Sequence, residues 1–253
     1  MTGSTRSAPR ARYGVDGPAP LAVLILATSG LLAAATVALV ARRRIGRLLL
    51  FGALLEAFRV GTYLYATLRG KFVVWEREVD ALDLTGAEHV LDLGCGRGTV
   101  LLTLARRLTT GRVVGLDLWQ AKDQSGNTEA ATRRNAEAEG VADRIDLDTA
   151  DMRALPYEDS RFDVVVSSLA VHNIPNAEGR SVAVTEALRV LRPGGRLVLA
   201  DAFRTSEYAQ TLRQAGARDV TVRSLGWRVW YGGPWLGMSA VTARKPDGAD
   251  AAS

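Results

Sequence analysis

The chain has 253 residues, of which 47% are hydrophobic and 23% charged, a composition that predicts a packed globule with room for an appendage. Its net charge is +5, but no stretch of the globular part is a basic block with interleaved aromatic residues, which disfavours nucleic-acid binding. The one cysteine excludes an internal disulfide, and with only two scattered histidines, His89 and His172, it does not make a zinc site.

The N-terminal region predicts a membrane attachment. Residues 1–20 are rich in Gly, Pro, Ser and Arg and are expected to form a disordered tail. Residues 21–41 contain no charged side chain, and at about 1.5 Å per residue they cross the roughly 30 Å of bilayer hydrocarbon. Three arginines at 42–44 follow as a stop-transfer flank, which favours a transmembrane helix over a cleaved signal peptide.

Residues 42–72 are predicted to form a second membrane-associated helix. Two apolar runs, 48–55 and 60–68, flank Glu56 and Arg59, which lie three apart and can pair on one helical face. The segment is compatible with an interfacial helix, a second span, or a hairpin with residues 21–41 that binds substrate or a second copy. We expect one span, with the arginine run and the catalytic domain on the cytoplasmic side.

Residues 73–246 alternate between strand and helix patterns, which predicts an α/β fold with a doubly wound, Rossmann-like sheet. Seven strands are expected, the last of them antiparallel, and residues 247–253 are expected to form a disordered tail. Predicted strands cover 90–93, 113–117, 145–150, 162–167, 196–200, 220–224 and 238–243, and predicted helices cover 100–108, 128–139, 182–190 and 208–215.

Polar residues and glycines collect where the first three strands end. The first strand runs into a glycine-rich turn with the spacing G-x-G-x-G, whereas dinucleotide folds use G-x-G-x-x-G. This spacing disfavours a nicotinamide-dependent oxidoreductase. Asp117 ends the second strand, where an acid accepts hydrogen bonds from ribose hydroxyls. Asp151 and Met152 follow the third, so the three strand ends outline a pocket for an adenosine.

The runs VLDLGCGRG, GLDLW, TADMRALPYEDSRFDVVVSSLAVHN and LRPGGRLVLAD resemble the class I S-adenosylmethionine-dependent methyltransferases, nearest those of ubiquinone and menaquinone biosynthesis. The resemblance covers about residues 73–245 and is specific to the superfamily but weak on substrate. The run 119–127 is longer and more polar than is usual in this family, and Trp119 within it is expected either to cover the adenine edge or to lie in a solvated loop. The resemblance implies S-adenosylmethionine as cofactor, bound by Asp92, Gly94, Cys95, Gly96, Gly98, Asp117, Leu118, Asp151, Met152, Ser167 and Ser168.

Methyl transfer to a nucleophile needs mainly positioning and exclusion of water. If the nucleophile must lose a proton, His172 is the first candidate base and Asp201 the second; the alternative is that His172 only shapes the pocket. Aromatic residues between the last two strands predict an apolar slot, a membrane-interface contact or ordinary core packing. The candidate substrate-binding residues are His172, Trp227, Trp230 and Tyr231.

Together these features predict a membrane-anchored methyltransferase that acts on a small lipophilic acceptor such as a quinone, an isoprenoid or a lipid. A membrane-tethered adenosyl-binding module without catalytic activity is the main alternative. The sequence leaves the oligomeric state open.

Overall fold

Seven strands form one mixed sheet in the computed structural model, which describes residues 11–247. The sheet order is β3-β2-β1-β4-β5-β7-β6; the first five strands run parallel, and β7 is antiparallel to both of its neighbours. This confirms the predicted Rossmann-like sheet with an antiparallel last strand. The strands are β1 His89–Leu93, β2 Arg112–Asp117, β3 Ile145–Thr149, β4 Phe162–Ser168, β5 Leu191–Asp201, β6 Arg218–Ser224 and β7 Ser239–Arg244.

Helices pack on both faces of this sheet. Alternate residues of the central strands therefore enter two apolar cores: Val164 and Val166 belong to one, and Val165 between them belongs to the other. The helices are α1 Pro18–Val40, α2 Ile45–Tyr65, α3 Lys71–Asp80, α4 Thr99–Ala105, α5 Glu129–Glu139, α6 Ala177–Val190 and α7 Thr205–Gln214.

Element boundaries differ from the predicted ones where side-chain caps or glycines decide them. Helix α6 begins five residues earlier than the apolar periodicity indicates, because the Asn176 side chain accepts a hydrogen bond from the Gly179 N–H at 2.7 Å. Strand β5 likewise begins at Leu191, and its Gly194 adopts a positive φ of 73° while its N–H donates to the Lys245 carbonyl.

The N-terminal helices form an antiparallel hairpin. Helices α1 and α2 pack on each other, and the close approaches of Gly46 to Leu39, Gly52 to Leu31 and Gly17 to Tyr63 fix their register. Helix α2 continues through a π-helical turn, Ala66–Gly70, directly into α3, so that one helix extends over Ile45–Asp80. Both this helix and α1 are long and apolar enough to cross a membrane.

The base of the hairpin, where α1 begins and α2 ends, lies against the sheet domain. The sequence assigns residues 11–17 to the tail, whereas the structure places residues 12–17, here called the strap, across the loop after β2 and helix α5. Leu21 and Leu24 at the start of α1, and Tyr63 near the end of α2, join one of the domain's apolar cores. Residues 1–10 and 248–253, which make up much of the predicted tails, lie outside the described residues.

Candidate active site

A tight glycine turn connects β1 to α4. Gly94, Gly96 and Gly98 all have positive φ values, of 73°, 51° and 89°. A Cβ on Gly94 would lie only 2.2 Å from the Ala170 Cβ, so this position excludes any larger residue. Gly94 and Gly96 line a cavity, whereas Gly98 caps α4 and faces the Leu102 side chain instead. Two of the three predicted glycines therefore belong to the cavity wall.

This cavity, here called the first cavity, has a volume of about 250 Å³ and lies at the carboxyl ends of the parallel strands, where open α/β sheets bind ligands. It brings together most of the residues that the sequence assigns to the cofactor. Ser167 is not among them, because its hydroxyl is buried and donates to the Leu93 carbonyl at 2.8 Å, joining β4 to β1. The predicted residues that line the cavity are Asp92, Gly94, Cys95, Gly96, Asp117, Leu118, Asp151, Met152 and Ser168.

Asp92 presents a carboxylate without a partner to this cavity. The side chain is 1% exposed, and neither carboxylate oxygen has a hydrogen-bond partner among the described residues. Burial, together with the charge of Asp117, raises the pKa of Asp92 to about 8. A buried acceptor of this kind is complementary to a ligand group that carries a positive charge or several N–H donors.

Asp117 at the end of β2 holds the surrounding loops. Its carboxylate accepts hydrogen bonds from the Gly96 N–H at 2.8 Å, from the Trp119 N–H at 2.6 Å and from the Asn127 side chain at 3.2 Å. It also lines the cavity, where an ionised carboxylate has further acceptor capacity for ribose hydroxyls. The Trp119 ring lies outside the cavity lining and donates to Thr149 at 2.7 Å, which holds it in the loop after β2.

The other predicted cofactor residues have different environments. Asp151 is paired with Arg153, and the hydrogen bonds from that guanidinium lower the pKa of the Asp151 carboxyl. The Cys95 thiol is buried between the glycine turn and Gly115, and burial raises its pKa well above the ordinary value. It therefore stays protonated and fills space, as a buried cysteine commonly does.

A second cavity of about 250 Å³ adjoins the first. The two share Leu169 and Asn173 from the segment after β4, and Asp16, Lys122 and Asp123 from the strap and the loop after β2. One wall of the second cavity comes from the hairpin base, outside residues 73–245 that carry the family resemblance, and another comes from the loop before β7. The remaining lining residues are Gly17, Pro20, Tyr63, His172, Ala202, Phe203, Tyr231 and Leu236.

His172 and Asp201 meet at the second cavity. The His172 Nδ1 lies 2.8 Å from an Asp201 carboxylate oxygen, an ion-pair distance at which the ring N–H is not aligned as a hydrogen bond. Asp201 is 2% exposed and is held at the end of β5 by the Ala202 N–H and the Tyr208 hydroxyl. An imidazole with a carboxylate behind it is a common arrangement for a general base.

Of the predicted aromatic substrate residues, Tyr231 lines the second cavity, and Trp227 and Trp230 line neither of the two cavities described above. Trp227 is half exposed and stacks on Tyr65 at 5.1 Å, while Trp230 makes a backbone bridge to Gly237. Trp227 therefore packs the loop against the hairpin, whereas Trp230 joins two parts of the loop. Tyr63, Phe203 and Leu236 line the second cavity without having been predicted, because each lies in a segment that resembles no motif and reaches the site only through tertiary packing.

Comparison with known proteins gives a family match over residues 91–199, described as a methyltransferase domain. The chain is 35% identical over 124 residues to the ubiquinone/menaquinone biosynthesis C-methyltransferase UbiE of Roseobacter denitrificans, covering 49% of this chain and 46% of that protein. It is 32% identical over 129 residues to the sterol 4-C-methyltransferase strm-1 of Caenorhabditis elegans, covering 51% of this chain and 35% of that protein. The matches thus span less than half the length of either relative.

The fold is also that of solved methyltransferase structures. A geranyl diphosphate methyltransferase in complex with S-adenosylmethionine superposes with a TM-score of 0.54 at 17% sequence identity. The superposition covers 69% of this chain and 85% of that one. At this identity the comparison shows a common fold.

Proposed function

We propose that this chain, which matches a methyltransferase domain over residues 91–199, is a membrane-attached S-adenosylmethionine-dependent methyltransferase that acts on a small lipophilic acceptor. The observation that carries the proposal is the unpartnered, buried Asp92 carboxylate beneath a glycine turn, in a cavity that shares a wall with a second cavity lined by His172, which lies against the buried Asp201. A quinone, an isoprenoid or a lipid fits the acceptor class.

The residues of the first cavity fit the cofactor group by group. Asp92 would face the methionine ammonium, because it is the buried acceptor without a donor. Gly94 and Gly96 leave room for a close approach of the ligand to the backbone. Asp117 would accept from the ribose, and Met152 would lie against the adenine. When bound, S-adenosylmethionine supplies an electrophilic methyl group on a sulfonium.

The protein's own part in the reaction is positioning, exclusion of water and proton acceptance. Leu169 and Asn173 line both cavities, so an acceptor in the second cavity would approach a donor in the first across them. The His172 imidazole would accept the proton of an acceptor hydroxyl or acidic C–H. Asp201 would stabilise the resulting imidazolium through the 2.8 Å contact with Nδ1.

The surface of the hairpin supports attachment to a membrane. Large apolar side chains on both helices are solvent-exposed, among them Leu26 at 71%, Leu48 at 69% and Phe51 at 67%. Such a contiguous apolar surface is unfavourable in water and favourable in a bilayer. The Glu56–Arg59 pair, at 2.7 Å, lies near the hairpin base, where Arg59 also donates to the Gly232 carbonyl.

The topology we propose is an inserted hairpin in place of the single span expected from the sequence. The strap hydrogen-bonds to the loop after β2, and Tyr63 near the end of α2 packs in an apolar core of the sheet domain, so the chain would enter and leave the bilayer on the same side, the cytoplasmic one. Helix α1 covers about 34 Å at 1.5 Å per residue. The three arginines at its tip would then lie among the headgroups of the opposite leaflet, contrary to the positive-inside rule that led us to expect a single span.

A lipophilic acceptor is supported by the position of the second cavity. Its wall includes Pro20 at the start of α1 and Tyr63 near the end of α2, so an acceptor leaving the bilayer along the hairpin would meet it first. Two of the relatives carry names that specify quinone biosynthesis and sterol methylation, which are reactions of lipophilic acceptors in those proteins.

The deciding experiment is transfer of a radiolabelled methyl group. The full chain in lipid nanodiscs would be incubated with labelled S-adenosylmethionine and with lipid, quinone and water-soluble extracts in parallel. We expect label in a lipid or quinone fraction, and none with Asp117→Ala. Label confined to the water-soluble fraction would refute the lipophilic acceptor, and cofactor binding without any transfer would favour the adenosyl-binding module.

A further inference from the structure

The Asp16 carboxylate lies where the strap, the membrane hairpin and both cavities meet. Asp16 is the penultimate strap residue before α1 and lines the first and the second cavity. Its side chain is only 15% exposed, and its charge is matched by Lys71, whose side chain is 6% exposed. A buried charge at this position needs a full set of partners.

Four side chains from three separate segments supply those partners. Lys71 Nζ donates to the two carboxylate oxygens at 2.8 and 2.9 Å, and the Thr67 hydroxyl donates to Oδ2 at 3.1 Å. Tyr231, from the loop before β7, donates to Oδ2 at 3.0 Å. Gln124, from the loop after β2, donates to Oδ1 at 2.8 Å. The carboxylate thus joins the hairpin base to two loops of the sheet domain.

Gln124 extends this connection to the cofactor turn. While its amide group donates to Asp16, its Oε1 accepts from the Arg97 N–H at 2.8 Å. Arg97 lies inside the glycine turn, between Gly96 and Gly98. A second link runs in parallel, because the Asn135 amide donates both to the Arg97 carbonyl at 2.9 Å and to the carbonyl of strap residue Arg12 at 3.0 Å.

Two irregular features of the chain converge on this carboxylate. One is the π-helical turn Ala66–Gly70, which contains Thr67 and directly precedes Lys71, and such turns frequently occur at functional sites. The other is the loop 119–127, which is longer and more polar than in the family pattern and contains Gln124. Both irregularities bring a donor to Asp16, which gives each of them a physical reason.

We propose that Asp16 is a positioning residue that acts through Gln124 on the glycine turn, so that seating of the membrane hairpin sets the affinity for the cofactor. The hairpin is in that case a part of the cofactor site as well as an anchor. This inference rests on the proposed function, since it assumes that the first cavity binds S-adenosylmethionine and its product.

The test is a double-mutant cycle on the affinity for S-adenosylhomocysteine, measured by calorimetry on the full chain in nanodiscs. Asp16→Asn and Gln124→Leu are each expected to weaken binding at least about fivefold, the lower end of typical site-to-site coupling. The double variant is expected to bind S-adenosylhomocysteine no more weakly than the single variant with the lower affinity, because each substitution removes the same link. With an acceptor in hand, the KM for S-adenosylmethionine rises while kcat at saturating cofactor stays unchanged.

Asp163→Asn is the matched control. Asp163 also accepts from an arginine and from a backbone N–H, but at the opposite end of the sheet, so its loss is expected to leave the affinity unchanged. Gln124→Leu retains the Asp16–Lys71 pair, which keeps the test informative if Asp16→Asn does not fold. Wild-type affinity in both single variants, or independent and multiplying effects in the double variant, would overturn the inference. A wild-type protein that does not bind S-adenosylhomocysteine at all would instead refute the proposed function.

Discussion

Replacing Asp92 by asparagine is expected to stabilise the free protein and to weaken cofactor binding. The carboxyl is buried without a partner, and its pKa is raised to about 8, compared with about 3.9 in an unfolded chain. Asparagine has nearly the same shape but no charge to bury. The substitution therefore separates the cost of the buried group in the free protein from its contribution to ligand binding.

The magnitude follows from proton linkage. Between pH 4 and pH 8 the folded protein binds a proton at Asp92 that the unfolded chain does not, so its stability falls as the pH rises through this window. At about 1.4 kcal/mol per pKa unit, the cost at pH 7 is about 4 kcal/mol as an upper bound. Asp92→Asn avoids this cost, and its advantage is expected to shrink towards pH 4. Loss of a charge-assisted contact, worth about 1.5–3 kcal/mol, weakens cofactor binding about 10- to 150-fold.

The assay is thermal unfolding in detergent between pH 5 and pH 8, with and without S-adenosylhomocysteine. We expect Asp92→Asn to unfold at a higher temperature than the wild type without ligand, and to show little further increase when the ligand is added. Asp117→Asn is the matched control, and it is expected to lower the unfolding temperature of the free protein. The Asp117 carboxylate accepts hydrogen bonds from backbone N–H groups, so its loss destabilises the turn. An Asp92→Asn variant that is less stable than the wild type at pH 7, or that keeps its affinity, would refute this reasoning.

The second cavity and the hairpin give three further tests. His172→Gln is expected to lower kcat by about 10²- to 10⁴-fold without changing the affinity for S-adenosylhomocysteine, and an unchanged kcat would exclude His172 as the base. Leu236→Trp narrows the second cavity, so in steady-state kinetics the variant should have a higher KM for the acceptor than the wild type has. Leu236→Met, which has a side chain of similar volume, is the control. In vesicles with the sheet domain outside, Arg43→Cys is expected to be protected from an external membrane-impermeant maleimide, while Asp143→Cys, at an exposed position, is expected to react. Equal labelling of the two variants would contradict the inserted hairpin. The native Cys95 is too buried to react.

The fold of the sheet domain was predictable because each of its strands has a local pattern. Strand β4 has three consecutive buried valines at its centre, as a strand covered on both faces requires. Gly140 stops helix α5 in the left-handed conformation that glycine favours. Boundaries were less predictable where a single hydrogen bond decides them, as the Asn176 cap does for α6. Such a cap is a single residue and not a repeating pattern, so the sequence indicates its position only weakly.

The cofactor part of the site was more predictable than the acceptor part. The residues of the glycine turn, Asp117 and Asp151 follow strand ends, and parallel strands bring their carboxyl ends together at one edge of the sheet. Ser167 was assigned to the cofactor because it also ends a strand, but strand alternation directs its hydroxyl to the Leu93 carbonyl. Side-chain alternation thus decides whether a residue at a strand end faces the cavity or the interior of the sheet domain.

The strap was not predictable from residues 1–20, because its contacts depend on partners far along the chain. Asp16 pairs with Lys71, Gln124 and Tyr231, and a Gly- and Pro-rich segment with one acid among arginines resembles a solvated tail. A signal did exist, in the polar loop 119–127 that departs from the family pattern. A departure that adds buried hydrogen-bonding groups requires partners from outside the common fold, because an unpaired buried polar group costs about 1–3 kcal/mol. In this chain two of those partners, Val15 and Asp16, come from the strap, which the family resemblance does not cover, and they join the hairpin base to the loop.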